Sequence, residues 1–191
     1  MEKQEQLTTR TKLILASSSQ TRISYLKKYF KDFKKTQHFV DEDEIKQRIK
    51  SPRKLVLYLA KEKALSVNKI YPGQMVVGSD QVLVCNNKLI NKPKDLSEAE
   101  RNLVYLNNKK HTLLSAIYVL NKEKYFFQKV TTAELLFNKI SIKQIKEYIS
   151  QNPKTVLSTV GSYKIEENEK FKFLKVLSGD METIIGFPIK D

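Results

Sequence analysis

The sequence predicts an α/β protein with a mixed sheet and flanking helices. Two observations carry that reading. Short apolar runs alternate with segments whose apolar residues recur at helical spacing. Turn signals at Asn86-Asn87-Lys88 and around Asn121 join neighbouring apolar runs closely enough for hairpins, so the sheet is not all-parallel.

Taken in order, Leu13-Ile14-Leu15-Ala16 reads as a short buried strand that runs into Ser17-Ser18-Ser19. A helix is expected to start there. Ile23, Leu26 and Phe30 share one helical face, and a serine hydroxyl caps well because it accepts from a free backbone N–H. A strand leading through serines into a helix can hold an anion, and Arg22 would add a fixed positive charge. Residues 36–40 read as a second strand, followed by Asp41-Glu42-Asp43-Glu44. Without further context, that run reads as a solvated acidic face.

Ser51-Pro52 opens a strong helix, with proline in its first turn. Val56, Leu59, Ala60, Ala64, Val67 and Ile70 form its apolar stripe. Lys63 falls inside the stripe, where spacing predicts burial. It either snorkels to the edge or faces a cleft holding negative charge.

Residues 75–93 organise the rest. An apolar strand is interrupted by Gly78-Ser79-Asp80-Gln81 and resumes at Val82-Leu83-Val84. A carboxylate inside a buried strand costs free energy unless something pairs with it. Lys92, at the end of the following strand, is a candidate partner. The pair is either a structural bridge across the hairpin or part of a reactive site.

Beyond it, Ser97-Glu98-Ala99-Glu100 has the pattern of a capping box, with Ala99, Leu103 and Leu106 as the buried face. Residues 111–120 and 125–137 read as strands, and His111 as structural. Ser141 to Gln144 forms a second capping box, with Ile140 and Ile145 as a hydrophobic staple; that helix ends before Asn152-Pro153. Residues 156–165 read as strand or loop, 166–170 as a polar turn, 171–177 as strand or short helix, and 178–180 as a turn.

Composition narrows the function. With 191 residues and 40% hydrophobic content, the chain can bury the core of one domain or of two closely joined lobes. Cys85 is the sole cysteine, which excludes an internal disulfide framework and leaves it as a small buried hydrophobe. No apolar run approaches bilayer length, and residues 1–12 lack an apolar signal core, so the expected location is cytoplasmic. The net charge of +14 is spread along the chain, often beside Glu or Asp. That distribution argues against a dedicated nucleic-acid surface, and the same field suits an acidic small molecule such as a nucleotide.

Much chemistry is missing. There is no Gly-x-x-x-x-Gly-Lys loop, no Gly-x-Gly-x-x-Gly fingerprint and no zinc-type His/Cys spacing, and two histidines suggest no Ser-His-Asp set. Oxygen ligands remain, suited to magnesium or manganese, together with scattered Lys and Arg. That combination belongs to chemistry on phosphates.

Together these motifs resemble the Maf family of nucleoside triphosphate pyrophosphatases, over nearly the whole chain. Leu15-Ala16-Ser17-Ser18-Ser19-Gln20-Thr21-Arg22 is similar to the family's Leu-Ala-Ser-x-Ser-Pro-Arg-Arg, and Val40-Asp41-Glu42 to its Val-Asp-Glu. Leu59-Ala60 with Lys63-Ala64 corresponds to Leu-Ala-x-x-Lys-Ala. Gly78-Ser79-Asp80-Gln81 and Lys92-Pro93 correspond to its central Asp and Lys-Pro. Val160-Gly161-Ser162-Tyr163 through Glu166, Gly179-Asp180 and Ile185-Gly186-Phe187-Pro188 resemble its C-terminal signature.

The resemblance implies a single Maf-like domain over residues 1–191, with a Maf/ITPase-like fold and two lobes around a central cleft. It implies hydrolysis of nucleoside triphosphates, including modified or non-standard ones, to a monophosphate and pyrophosphate with a divalent metal cation, Mg²⁺ or Mn²⁺. Asp80 would be catalytic, as proton acceptor or metal ligand, with Glu42 on metal or substrate. Ser17, Ser19 and Arg22 would hold phosphate, Lys63 and Lys92 would face the triphosphate, and Gln81 and Glu166 would touch substrate, Glu166 near base or sugar.

Thr21-Arg22 replaces the family's tandem arginine and Gln20 its proline. Ser79-Asp80-Gln81 and Glu166 lean toward the branch acting on 7-methyl-GTP rather than dTTP and UTP. The partner implied is the nucleotide, with no membrane and no nucleic acid; a homodimer is compatible with the sequence but not fixed by it. The rival from another class is a non-catalytic basic protein, a regulator of cell division or a nucleic-acid binder.

Overall fold

The computed structural model describes residues 12–189. The N-terminal stretch considered for a signal lies outside the described residues, Lys12 apart, as do the ends of the proposed domain. In chain order the elements are β1 (Leu13–Ala16), α1 (Gln20–Leu26), β2 (Lys34–Thr36), α2 (Glu42–Arg48), α3 (Pro52–Asn68), β3 (Met75–Cys85) and β4 (Lys88–Ile90). Then come α4 (Leu96–Leu106), β5 (Lys110–Asn121), β6 (Lys124–Phe137), α5 (Ile142–Gln151), α6 (Pro153–Ser158), α7 (Asn168–Phe171), β7 (Leu174–Ser178) and α8 (Met181–Ile184).

The sheet is mixed, as expected. Its order is β2-β1-β3-β5-β6-β7, with β4 paired to β3. β1 runs parallel to β2 and β3, and the pairings β3–β5, β5–β6 and β6–β7 are antiparallel. Asn86 and Asn87 both have positive φ, 49° and 60°, which suits the tight turn between β3 and β4.

Strand alternation distributes the core. Ile14, Ala16 and Val76 pack with Leu55, Leu59 and Ala64 of α3, while Leu15 and Val77 pack with Ile23 and Leu26 of α1. Alternate residues point to opposite faces, so α1 and α3 cover the two sides of the parallel strands. A third cluster joins the far end of β3, at Leu83 and Cys85, to α4, α5 and the aromatic residues Tyr148, Tyr163 and Phe173. No helix among the described residues is long and apolar enough to cross a membrane.

Several expected boundaries move. The second strand is residues 34–36 rather than 36–40, because those residues are the ones that reach β1 in register. α1 stops at Leu26, so Phe30 is exposed, and Ile70 lies past the end of α3 and is also exposed. The cap of α4 is Asp95, whose carboxylate accepts from the Glu98 N–H at 2.7 Å, rather than Ser97; a carboxylate is the stronger acceptor. The capping box at Ser141 and Gln144 forms as expected. α5 ends at Gln151, before Asn152-Pro153 as expected, but the region 153–171 is mostly short helices rather than strand, loop and turn: Pro153 opens α6 at once, and further short helical turns follow.

Gly78 is where α3 comes closest to the sheet. A methyl there would collide with the Ala60 carbonyl oxygen and lie 2.7 Å from the Ala64 nitrogen, both backbone atoms. Gly78→Ala is therefore expected to cost about 3 kcal/mol or more, measured by chemical denaturation. Pushing α3 outward would also separate Lys63 from β3, so activity should fall with stability.

His111 is buried on β5, and burial pushes its imidazole down to about 4 from 6.5. A histidine depressed in the fold binds fewer protons than in the unfolded chain. Its stabilising contribution is thus complete above pH 6.5 and fades as pH falls toward 4. The thermal midpoint should drop across that window, and less steeply in His111→Gln.

Candidate active site

Where α3 lies against β3, two buried side chains of opposite charge meet. Lys63 Nζ lies 2.5 Å from Asp80 Oδ1. Lys63 is 3% exposed and Asp80 6% exposed, so neither can exchange its partner for bulk water without a change in structure. The stripe lysine therefore faces a cleft instead of snorkelling, and the strand carboxylate is paired. Its partner is Lys63, not the Lys92 expected across the hairpin.

A second carboxylate shares the same ammonium. Glu42 Oε1 is 2.7 Å from Lys63 Nζ, and Glu42 Oε2 is 3.2 Å from Lys46 Nζ. The acidic run splits by role. Asp41 caps α2, accepting from the Asp43 and Glu44 N–H groups at 3.1 Å. That cap turns Glu42 inward and leaves Asp43 and Glu44 exposed. Burial alone would raise the Glu42 carboxyl, but Lys63, with Lys46 and Lys92, outweighs it and holds the group at about 2. His38 Nε2 stands 3.5 Å from Glu42 Oε1. Burial and Lys63 push that imidazole down to about 4, so at neutral pH the contact is not an ion pair.

The serine turn supplies the next wall. Ser19 caps α1, and Ser17 Oγ accepts from the Ser19 N–H at 3.2 Å. Arg22 Nη1 donates to the Ser79 carbonyl at 2.9 Å, while its buried Nε has no partner among the described residues. Burial lowers the Arg22 pKa, against the raising pull of Asp80 and Glu42. A buried guanidinium with an idle donor is suited to receive an anion.

Every site candidate from the sequence lines one cavity of about 440 Å³: Ser17, Ser19, Arg22, Glu42, Lys63, Asp80, Gln81, Lys92 and Glu166. Among the described residues no group of three His, Cys, Asp or Glu side chains is gathered as a ready-made metal cage. Asp80 and Glu42 are nonetheless hard oxygen donors meeting at one positive point. Those oxygen donors are of the kind that suits a hard divalent cation.

Residues 12–191 match the family model described as Maf-like protein. The chain belongs to the Maf family. It is 33% identical over 183 residues to a nucleoside triphosphate pyrophosphatase of Ruegeria sp., covering 94% of this chain and 92% of the relative. It is 34% identical over 179 residues to a 7-methyl-GTP pyrophosphatase of Bartonella quintana, covering 93% and 90%. Among solved structures, it is similar to a nucleoside-triphosphatase, dITP/XTP pyrophosphatase, of Mycobacterium abscessus, with a TM-score of 0.44 and 14% identity over 68% of this chain and 76% of that one.

Within this Maf chain one candidate is engaged differently from the expectation. Gln81 lines the cavity, but its amide nitrogen is spent on Ser115 Oγ at 3.0 Å and on the Thr183 and Ile184 carbonyls at 2.9 Å. It fastens α8 to the sheet. Lys92 lines the cavity as an exposed side chain, and the protein around it, with Arg22, lowers its ammonium pKa. Lys46, His38 and Lys164 also line the cavity and were not singled out from the sequence. Lys46 lies four residues after Glu42 on one helix, a spacing that signals such a pair. His38 and Lys164 carry no comparable signal.

Proposed function

We propose that this cavity binds a nucleoside triphosphate and cleaves it between the α- and β-phosphates, releasing a nucleoside monophosphate and pyrophosphate. The observation that carries the reading is the meeting of Asp80, Glu42 and Lys63 in one cavity with Arg22 and Lys92. A polyanionic tail needs several fixed cations, and its hydrolysis needs a carboxylate beside them.

In this reading Arg22 and Lys92 hold the phosphate chain, and the Ser17 and Ser19 turn receives phosphate oxygens. Asp80 and Glu42 would hold the divalent cation, which would supply neutralisation of the triphosphate charge. Asp80 takes the proton of the water that attacks the α-phosphorus. The bond from that phosphorus to the bridging oxygen breaks, and pyrophosphate leaves. Lys63 keeps the two carboxylates together and meets charge developing on phosphate oxygens. The activity belongs, on this reading, to a single Maf-like domain working in the cytoplasm, where nucleoside triphosphates are consumed. It requires no nucleic-acid partner and is compatible with a homodimer.

Glu166 favours a more specific second reading. A carboxylate on the cavity wall suits a base carrying positive charge, as 7-methylguanine does, and opposes one that would present an anion. The test is pyrophosphate release from a panel of triphosphates, 7-methyl-GTP included, with Mg²⁺ or Mn²⁺. Release of monophosphate and pyrophosphate is expected; if every triphosphate stays intact, the reading fails.

A further inference from the structure

Between residues 159 and 167 the backbone is held by contacts that the reaction does not use. Gly161 and Ser162 are consecutive left-handed residues, with φ 73° and 63°. Serine adopts that conformation at a cost of about 1 kcal/mol, yet Ser162 is fully buried. Its N–H donates to the Thr159 carbonyl at 3.2 Å, and Asn102 Nδ2 donates to its hydroxyl at 3.3 Å. A methyl on Gly161 would lie 2.5 Å from Leu83 Cδ1, so the turn is pressed against β3.

Two phenols fasten the segment after this turn. Tyr163 Oη is 2.5 Å from His111 Nε2, and both side chains are buried. Tyr148 donates its hydroxyl to Glu167 Oε2. Both rings pack edge-on against Phe173, at 6.4 and 4.9 Å, so the two anchors stand on one aromatic cluster. Between the anchors lie Lys164, Ile165 and Glu166, and all three line the cavity.

This short wall differs in chemistry from the cationic one. It presents the half-buried cation Lys164, the half-buried Ile165, whose other contacts are with the core beneath, and the exposed carboxylate of Glu166. The apolar side chain suits the face of a heterocycle, and the carboxylate suits its N–H edge. We infer that the Tyr163–His111 and Tyr148–Glu167 contacts are positioning devices that hold residues 164–166 against the nucleobase and thereby set base selectivity. The inference rests on the triphosphate reading of the cavity.

The experiment compares wild type with Tyr163→Phe and Tyr148→Phe. Each variant keeps the ring and deletes one hydroxyl. Steady-state kinetics on the four ribonucleoside triphosphates and 7-methyl-GTP give the KM spread, and inhibition by inorganic tripolyphosphate reports the phosphate side without a base. In each variant the preferred triphosphate should lose about fivefold to tenfold in KM relative to the others, the worth of one hydrogen bond. The inhibition constant of tripolyphosphate should not move, and kcat should change little. His111→Gln, which keeps a polar partner for Tyr163, should retain selectivity where His111→Leu loses it. An unchanged KM spread in both phenylalanine variants overturns the inference, as does an equal loss of tripolyphosphate affinity or a wild type indifferent to the base. A wild type that cleaves no triphosphate removes the underlying reading and the inference with it.

Discussion

Replacement of Asp80 by asparagine is expected to lower kcat by roughly three orders of magnitude while the protein stays folded. The side chain keeps its shape, so packing against α3 survives, but an amide cannot take a proton from water. Loss of a positioned base is worth roughly a hundredfold to ten-thousandfold, and the loss of a cation ligand adds to it. Lys63 would still have Glu42 at 2.7 Å, so its ammonium is not stranded. Single-turnover pyrophosphate release, set beside the thermal midpoint, checks both halves. Wild-type-like turnover in this variant would remove Asp80 from the mechanism.

The second large effect is expected at Lys63. Lys63→Met keeps an unbranched side chain within the helix stripe but leaves Asp80 and Glu42 facing each other without their shared cation. Leaving buried charge unpaired costs about 3–5 kcal/mol, and losing a fixed donor to the transition state costs about 2–4 kcal/mol. Stability and kcat/KM should therefore fall together. Added Mg²⁺ should recover more of the thermal midpoint in the variant than in wild type, because a ligand that binds only the folded state stabilises it and the ammonium no longer competes. Normal kinetics with reduced stability would make Lys63 a packing residue only.

How much of this could be read from the chain depended on the range of the signal. Strands Leu13–Ala16 and Met75–Cys85 were legible because their apolar runs are dense, and the long helix because its stripe repeats for several turns. Asp80 and Lys63 stood out for one physical reason: each is a charge at a position whose neighbours are buried. Their pairing was not legible. It depends on Gly78 letting α3 approach β3, and nothing in the spacing says which lysine arrives. The same limit explains Gln81, whose amide is consumed by the Thr183 and Ile184 carbonyls about a hundred residues away. The short helices after Pro153 lack enough turns to show a period, so composition favoured loops there. Glu42 is marked only by the family resemblance, because it stands in an acidic run that by itself reads as solvated; Asp41 takes the cap of α2, and Glu42 reaches Lys63.

The central claim is that water attacks the α-phosphorus of a triphosphate lodged among Asp80, Glu42 and Lys63. Hydrolysis in heavy-oxygen water, with the products separated and read by phosphorus NMR and mass spectrometry, tests it most directly. The expected products are a nucleoside monophosphate carrying the heavy oxygen and unlabelled pyrophosphate. Labelled inorganic phosphate with a nucleoside diphosphate, or label in the pyrophosphate, would contradict it.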